Sequence, residues 1–134
     1  VSDAVIPPRV QRFIATHIDS IEKLEVLLLM RTHADREWTA RDVSLELRIA
    51  ETSAATRLAD LAARRLVTER GSNPVAYRFG PASAEDEQDV TDLQATYATR
   101  RVSVISFIFS KPLDKVRGFA DAFRLKRDKD DGNG

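Results

Sequence analysis

The 43 residues from Trp38 to Gly80, WTARDVSLELRIAETSAATRLADLAARRLVTERGSNPVAYRFG, constrain the fold more than any other stretch of this chain. Thr39 is a helix N-cap residue, and residues 40–47 place Ala40, Val43 and either Leu45 or Leu47 on one apolar face. Arg48 to Glu51 reads as a turn with Ile49 pointing inward. A second helix starts at Glu51 or Thr52 and runs to about Arg64. It carries Ala54, Ala55, Leu58, Leu61 and Ala62 at helical spacing. Its alanines suit a close approach to a neighbouring helix. Leu66–Arg70 and Val75–Phe79 then alternate with period two around Gly71, Ser72, Asn73 and Pro74, which predicts a β-hairpin.

Helices flank this unit on both sides. Pro7 and Pro8 break what precedes them and open a helix from Pro8 to about Ile18. Its stripe of Val10, Phe13, Ile14 and His17 or Ile18 needs a partner, either the C-terminal region or a second subunit. Asp19 with Glu22 reads as a capping box for a helix running to about His33. That helix is apolar nearly all round over Leu24 and Val26–Met30, the mark of a buried spine. Ser83 caps a long helix whose first turns hold Glu85, Asp86, Glu87 and Asp89, which suit the positive end of the helix dipole. Val90, Leu93, Tyr97, Val104 and Ile108 form its stripe. Pro112 stops or restarts it, and Leu113, Val116, Phe119, Ala120 and Phe123 outline one more amphipathic helix. The expected division is an N-terminal extension (1–18), a central domain (19–80), a helical region (81–125) and a charged, disordered tail (126–134).

Composition removes several function classes. There is no cysteine, so disulfides and thiolate metal sites are excluded. No secretory signal is visible, and no apolar run approaches the ~18 residues of a spanning helix, so a cytoplasmic protein is expected. The chain opens on Val1, which reads as a fragment or a processed product. His17 and His33 stand without an acid–nucleophile pattern, and no phosphate loop or catalytic motif occurs. The acids at 85–92 lack calcium-loop spacing. No enzyme activity, cofactor or metal is expected. Net charge is zero, with 12 basic against 11 acidic side chains up to residue 80. Any positive face must therefore come from local arrangement.

Between Trp38 and Phe79 the chain resembles the winged helix-turn-helix transcription regulators in their MarR-like or ArsR-like form. The resemblance rests on WTARDVSLELRI, ETSAATRLADLAARRLV and YRF, about one-third of the chain. It implies a winged helix-turn-helix, and with the helices read from the flanking patterns the expected fold is mainly α with a small β-hairpin and long C-terminal helices. It also implies that the second phrase is a recognition helix, which lies in the major groove of DNA. That phrase ends in the family at a glycine before Leu-Val. Here Arg65 holds the glycine-like place before Leu66 and Val67, where a left-handed conformation is costly.

On this reading the exposed positions of the second helix are Ser53, Thr56, Arg57, Asp60 and Arg64. Arg57 is the candidate for a bidentate guanine contact, and Thr52 and Ser53 at the helix start are candidates for a phosphate. The plainer alternative is a solvated face with an Arg57–Asp60 or Asp60–Arg64 ion pair. Arg70, Ser72, Asn73 and Arg78 belong to the wing, which touches DNA backbone or minor groove, or is a simple polar turn. Arg41 and Arg48 flank the first helix and either clamp phosphates or, for Arg41, pair with Glu37 or Asp42.

The apolar C-terminal stretch needs a partner surface. Leu93, Tyr97, Val104, Phe107, Ile108, Phe119 and Phe123 are the candidate homodimer contacts. The basic helix from Lys111 to Arg127 fits packing on the chain or a second copy, with another protein next and a membrane surface last. The sequence thus points to a sequence-specific, double-stranded DNA-binding transcription regulator acting as a homodimer. The rival is a winged-helix protein-interaction module, an adaptor in transcription or chromosome organisation. A third option is a ligand-responsive regulator with an effector pocket between Phe13, Trp38 and the long helix.

Overall fold

A computed structural model describes residues 6–110. Within them, six helices and three short strands follow one another: α1 (Pro8–His17), α2 (Ile21–Thr32), β1 (Trp38–Thr39), α3 (Ala40–Leu47), α4 (Glu51–Ala63), β2 (Val67–Arg70), β3 (Ala76–Phe79), α5 (Ala84–Thr99) and α6 (residues 101–110). The expected final helix, the charged tail, and with them Phe119 and Phe123, lie outside the described residues.

Local chemistry sets most boundaries. Pro8 occupies the first turn of α1, where its missing N–H deprives no helix bond. The Ser20 side chain caps α2 by accepting from the Lys23 amide at 3.0 Å. This corrects the expected Asp19–Glu22 box: Glu22 is engaged elsewhere, by Arg57. A capping box does open α3, where Thr39 and Asp42 satisfy each other's amides at 3.0 and 3.1 Å. Ser83 caps α5 through the Asp86 amide. The single long C-terminal helix expected from the sequence is two helices. Backbone at Arg100 leaves the helical region (φ −131°, ψ 47°) before α6 begins.

The three strands form one antiparallel sheet in the order β1-β3-β2. Val67 faces Phe79 and Arg70 faces Ala76 in the hairpin, while Trp38 pairs with Tyr77 from the other side. Gly71, at φ +73°, supplies the left-handed residue the turn needs. Two-residue β1 has no period to read, so the sequence concealed the third strand.

One apolar cluster runs through the described chain from Ile6 to Ile108. The spine α2 contributes Leu24, Val26, Leu27, Leu28 and Met30, all buried. α4 contributes Ala54, Leu58 and Leu61. Ala55, expected inside, is exposed. In α3 the buried pair is Val43 and Ser44, while Leu45 stands 66% exposed and Leu47 is half-buried. Ser44 is tolerated inside because its hydroxyl donates to the Arg41 carbonyl at 2.8 Å. The partner of α1 is α5: Val10, Phe13 and Ile14 are buried, and Arg9 pairs with Asp89 at 2.8 Å.

The helix order, the hairpin and the strand pairing together make this a mainly helical winged helix-turn-helix fold with a small sheet.

Candidate nucleic-acid interface

The helix-turn-helix is α3 and α4, and both end alike. At the end of α3 the Ile49 amide donates to the Ser44 carbonyl at 3.1 Å, with Arg48 at φ +60°. At the end of α4 the Leu66 amide donates to Leu61 and the Arg65 amide to Ala62, both at 3.0 Å, with Arg65 at φ +62°. Both are Schellman-type endings, which normally place glycine at the left-handed position. The left-handed Arg65 is the conformation the sequence predicts; the second one, at Arg48, had no family signal to reveal it.

Charge on α4 is distributed against expectation. Arg57 does not stand free. Its side chain is 28% exposed, and its Nε donates to Glu22 Oε1 of α2 at 2.9 Å. Arg64 is likewise tied: Nε donates to Asp60 at 2.8 Å and Nη1 to the Thr16 carbonyl, at the end of α1, at 2.7 Å. The Asp60–Arg64 alternative is therefore the arrangement found, while Arg57 takes a partner 35 residues away.

Beneath these pairs lies Lys23, only 3% exposed, which binds Asp60 and also Asp19 at 3.1 Å. A buried ammonium needs such partners, because leaving water is expensive for a charge. Burial alone would push the Asp60 carboxyl up. Hydrogen bonds from Lys23 and Arg64, with their charges, outweigh it and hold Asp60 below the usual aspartate range. The network locks α4 against α1 and α2.

The exposed residues of α4 are Glu51, Thr52, Ala55, Thr56, Ala59 and Ala63. After Glu51 that face is small and uncharged. The Thr56 hydroxyl donates to the Thr52 carbonyl at 3.0 Å, while Ser53 is half-buried. Ala59 and Ala63 share a groove of about 560 Å³ with Arg65, Thr68, Glu69 and Gly80, between α4 and the wing.

Exposed cations lie on the segments that flank α4 in the chain, and Arg65 shares the groove with Ala59 and Ala63. Arg41, Arg48 and Arg65 are exposed, and among the described residues no carboxylate lies within ion-pair distance of them. Among the described residues Arg41 pairs with neither Glu37 nor Asp42: Glu37 faces Arg70 of the wing at 3.4 Å, and Asp42 caps α3. Ser72 and Asn73 are exposed at the wing tip, and Arg78 is half-buried with Nε on the Ala34 carbonyl at 3.3 Å.

The apolar C-terminal candidates divide. Leu93, Tyr97, Val104 and Ile108 are buried within the single chain, so in this arrangement they build its core rather than a free face. Phe107 is half-buried. The large apolar side chains of α6 left outside are Val102 (76% exposed) and Phe109 (67%). Phe13 and Trp38 are also core residues. An apolar cleft lies between α2, the end of α3 and α5, lined by Leu28, Leu29, Leu47 and Tyr97, while Phe13 lines a polar cleft with Glu85, Asp86 and Asp89. Among the described residues no cluster of three or more His, Asp or Glu could hold a metal ion, and no helix is long and apolar enough to cross a membrane.

No family model matches the chain, and no curated protein matches it by sequence. Among solved structures, a MarR family protein from Bacillus stearothermophilus is similar at a TM-score of 0.47 and 12% identity, over 90% of this chain and 81% of that one. A double mutant of Lactococcus lactis ZitR is similar at 0.44 and 14%, over 80% and 74%. On its own element order and strand pairing, the chain has the fold of the winged helix-turn-helix superfamily.

Proposed function

We propose that this protein is a double-stranded DNA-binding transcription regulator that acts as a homodimer. The observation that carries the reading is the small face of α4, uncharged beyond Glu51, with exposed arginines on the segments next to it: Arg41 and Arg48 in and after α3, Arg65 after α4, and Arg70 of the wing, which Glu37 pairs. Backbone phosphates are held by cations at the rim of an interface, while the groove admits side chains small enough to let a helix sit deep. Thr52 and Thr56 are then the residues that approach bases. Their hydroxyls serve as donor or acceptor, and their methyls fit the thymine methyl. Ser53 is the secondary candidate at the helix start, and Ser72 and Asn73 accompany Arg70 on the wing. Arg57 and Arg64 serve as anchors that hold α4 in place, and Arg78 steadies the wing. Exposed Val102 and Phe109, beside half-buried Phe107, favour a second copy of the chain as the cover of α6.

Selection from a random double-stranded DNA pool, at low and near-physiological salt, tests this. The expected result is a palindromic motif that survives the higher salt, together with a dimer mass in sedimentation. A specific observation favours a second reading, a protein-interaction module. The two arginines of α4 best placed by sequence are neutralised by Glu22 and Asp60. Absent or salt-labile DNA binding would select that reading.

A further inference from the structure

Two arginines occupy backbone positions that suit glycine. Arg48 (φ +60°) ends α3 and Arg65 (φ +62°) ends α4. An L side chain at such an angle crowds the following carbonyl, which glycine avoids. The amides at both helix ends are satisfied, as they would be with glycine, but among the described residues neither arginine side chain makes a hydrogen bond or ion pair that offsets the crowding. Both side chains are exposed, and neither has an ion-pair or hydrogen-bonded side-chain partner there. Other arginines of this region, Arg57 and Arg64, are engaged with carboxylates. Strain without a compensating contact points to a role outside the folded chain.

Their placement gives that role a chemistry. Arg48 lies just before α4 and Arg65 just after it, so the two guanidinium groups bracket one 13-residue helix. Such a helix is about 20 Å long, more than the ~12 Å width of the major groove. Groups at its two ends are therefore within reach of the flanking backbones when the helix crosses the groove with its small face inward. Arg65 also lines the groove that holds Ala59 and Ala63, on the outward side of α4. We infer that Arg48 and Arg65 are a pair of phosphate contacts, one at each end of α4, kept at left-handed positions at the expense of stability. This rests on the DNA-binding reading given above and adds to it which residues hold the backbone.

The test compares Arg48→Gly and Arg65→Gly with the parent, reading thermal stability and binding to a mixed-sequence DNA duplex across a salt series. Each glycine variant should melt a few degrees higher, since the strained backbone is relieved. Each should also bind the duplex several-fold more weakly, with a log–log salt slope shallower by about 0.9 per protomer. Arg48→Lys and Arg65→Lys keep charge and strain, and should retain most of the binding and none of the stability gain. Glycine variants that melt higher yet bind with unchanged affinity and slope overturn the phosphate pair and leave the DNA reading intact. Glycine variants that melt lower overturn the strain argument. A parent protein that binds no duplex at low salt sinks the DNA reading and the pair with it.

Discussion

The two flanks of α4 are built on opposite rules. On the flank toward α1 and α2, charge is dense and every charge has a partner: Arg57 with Glu22, Arg64 with Asp60, Lys23 with Asp60 and Asp19. On the flank toward solvent, Glu51 stands at the first turn, and beyond it Thr52, Ala55, Thr56, Ala59 and Ala63 carry no charge. An amphipathic surface helix usually turns its ionic side to water. Here Ala54, Leu58 and Leu61 face the core, the ion-paired residues lie half-buried beside them, and the small side faces water. The difference teaches that the inner flank is a stability device and the outer flank is free for function, so substitutions on the two should separate cleanly.

The largest expected effect falls on the inner flank. Asp60→Ala leaves Lys23 buried with Asp19 alone and frees Arg64. Removing one member of a fully buried pair costs ~3–5 kcal/mol; the surviving Asp19 and partial exposure of Asp60 bring the expectation to roughly 2–3 kcal/mol. A urea midpoint within error of the parent would show that the network does not hold α4. The same carboxylate gives a pH signature. Asp60 is more acidic in the folded protein than in the unfolded chain, so its stabilising effect is present above the usual aspartate value of 3.8 and is lost as pH falls through its lower folded value. Parent protein should therefore lose melting temperature more steeply than Asp60→Asn on acidification below that value. Parallel curves would contradict the assignment.

Arg57→Ala comes next. Its pair with Glu22 is about three-tenths exposed on each side, so screening keeps the expected loss near 0.5–1 kcal/mol. Its sharper readout is selectivity. Because Arg57 faces α2, the motif selected from random DNA should keep its sequence, with at most a general weakening. Lost preference at one base pair would return Arg57 to the groove.

How much of this was legible in the sequence depends on range. Local signals were clear. Thr39 caps α3 as its residue type predicts, and alternation around Gly71–Pro74 marks the hairpin. The break in the family pattern at Arg65 gave the left-handed residue. Long-range pairing was hidden. Glu22 and Arg57 are 35 residues apart, and Lys23 and Asp60 are 37 apart, so no periodicity links them. A charged residue at an outward helical position therefore reads as solvent-facing in the sequence. Burial of Ser44 in place of Leu45 was hidden for a similar reason. What makes a serine cheap to bury is its bond to the Arg41 carbonyl, which hydrophobicity does not record. The division of the long C-terminal helix at Arg100 has no glycine or proline to mark it.

The smallest expected effect on stability is the sharpest test of the outer flank. Ala59 is exposed in mid-helix and faces the groove beside the wing. Ala59→Glu replaces the best helix former with a good one at a solvated position, so folding stability should change by no more than about 0.5 kcal/mol. Binding to DNA should nevertheless weaken strongly, because the new carboxylate would face phosphates and would offer Arg65, which lines the same groove, a partner within the chain. Ala59→Gln separates charge from size: it adds the same bulk without charge and should lose much less. If Glu and Gln weaken binding alike, bulk alone governs the face and the fit is steric. If neither does, α4 does not enter the groove. The exposed small face must then meet a protein surface, which an added carboxylate at position 59 would disturb in a pull-down rather than in a DNA titration.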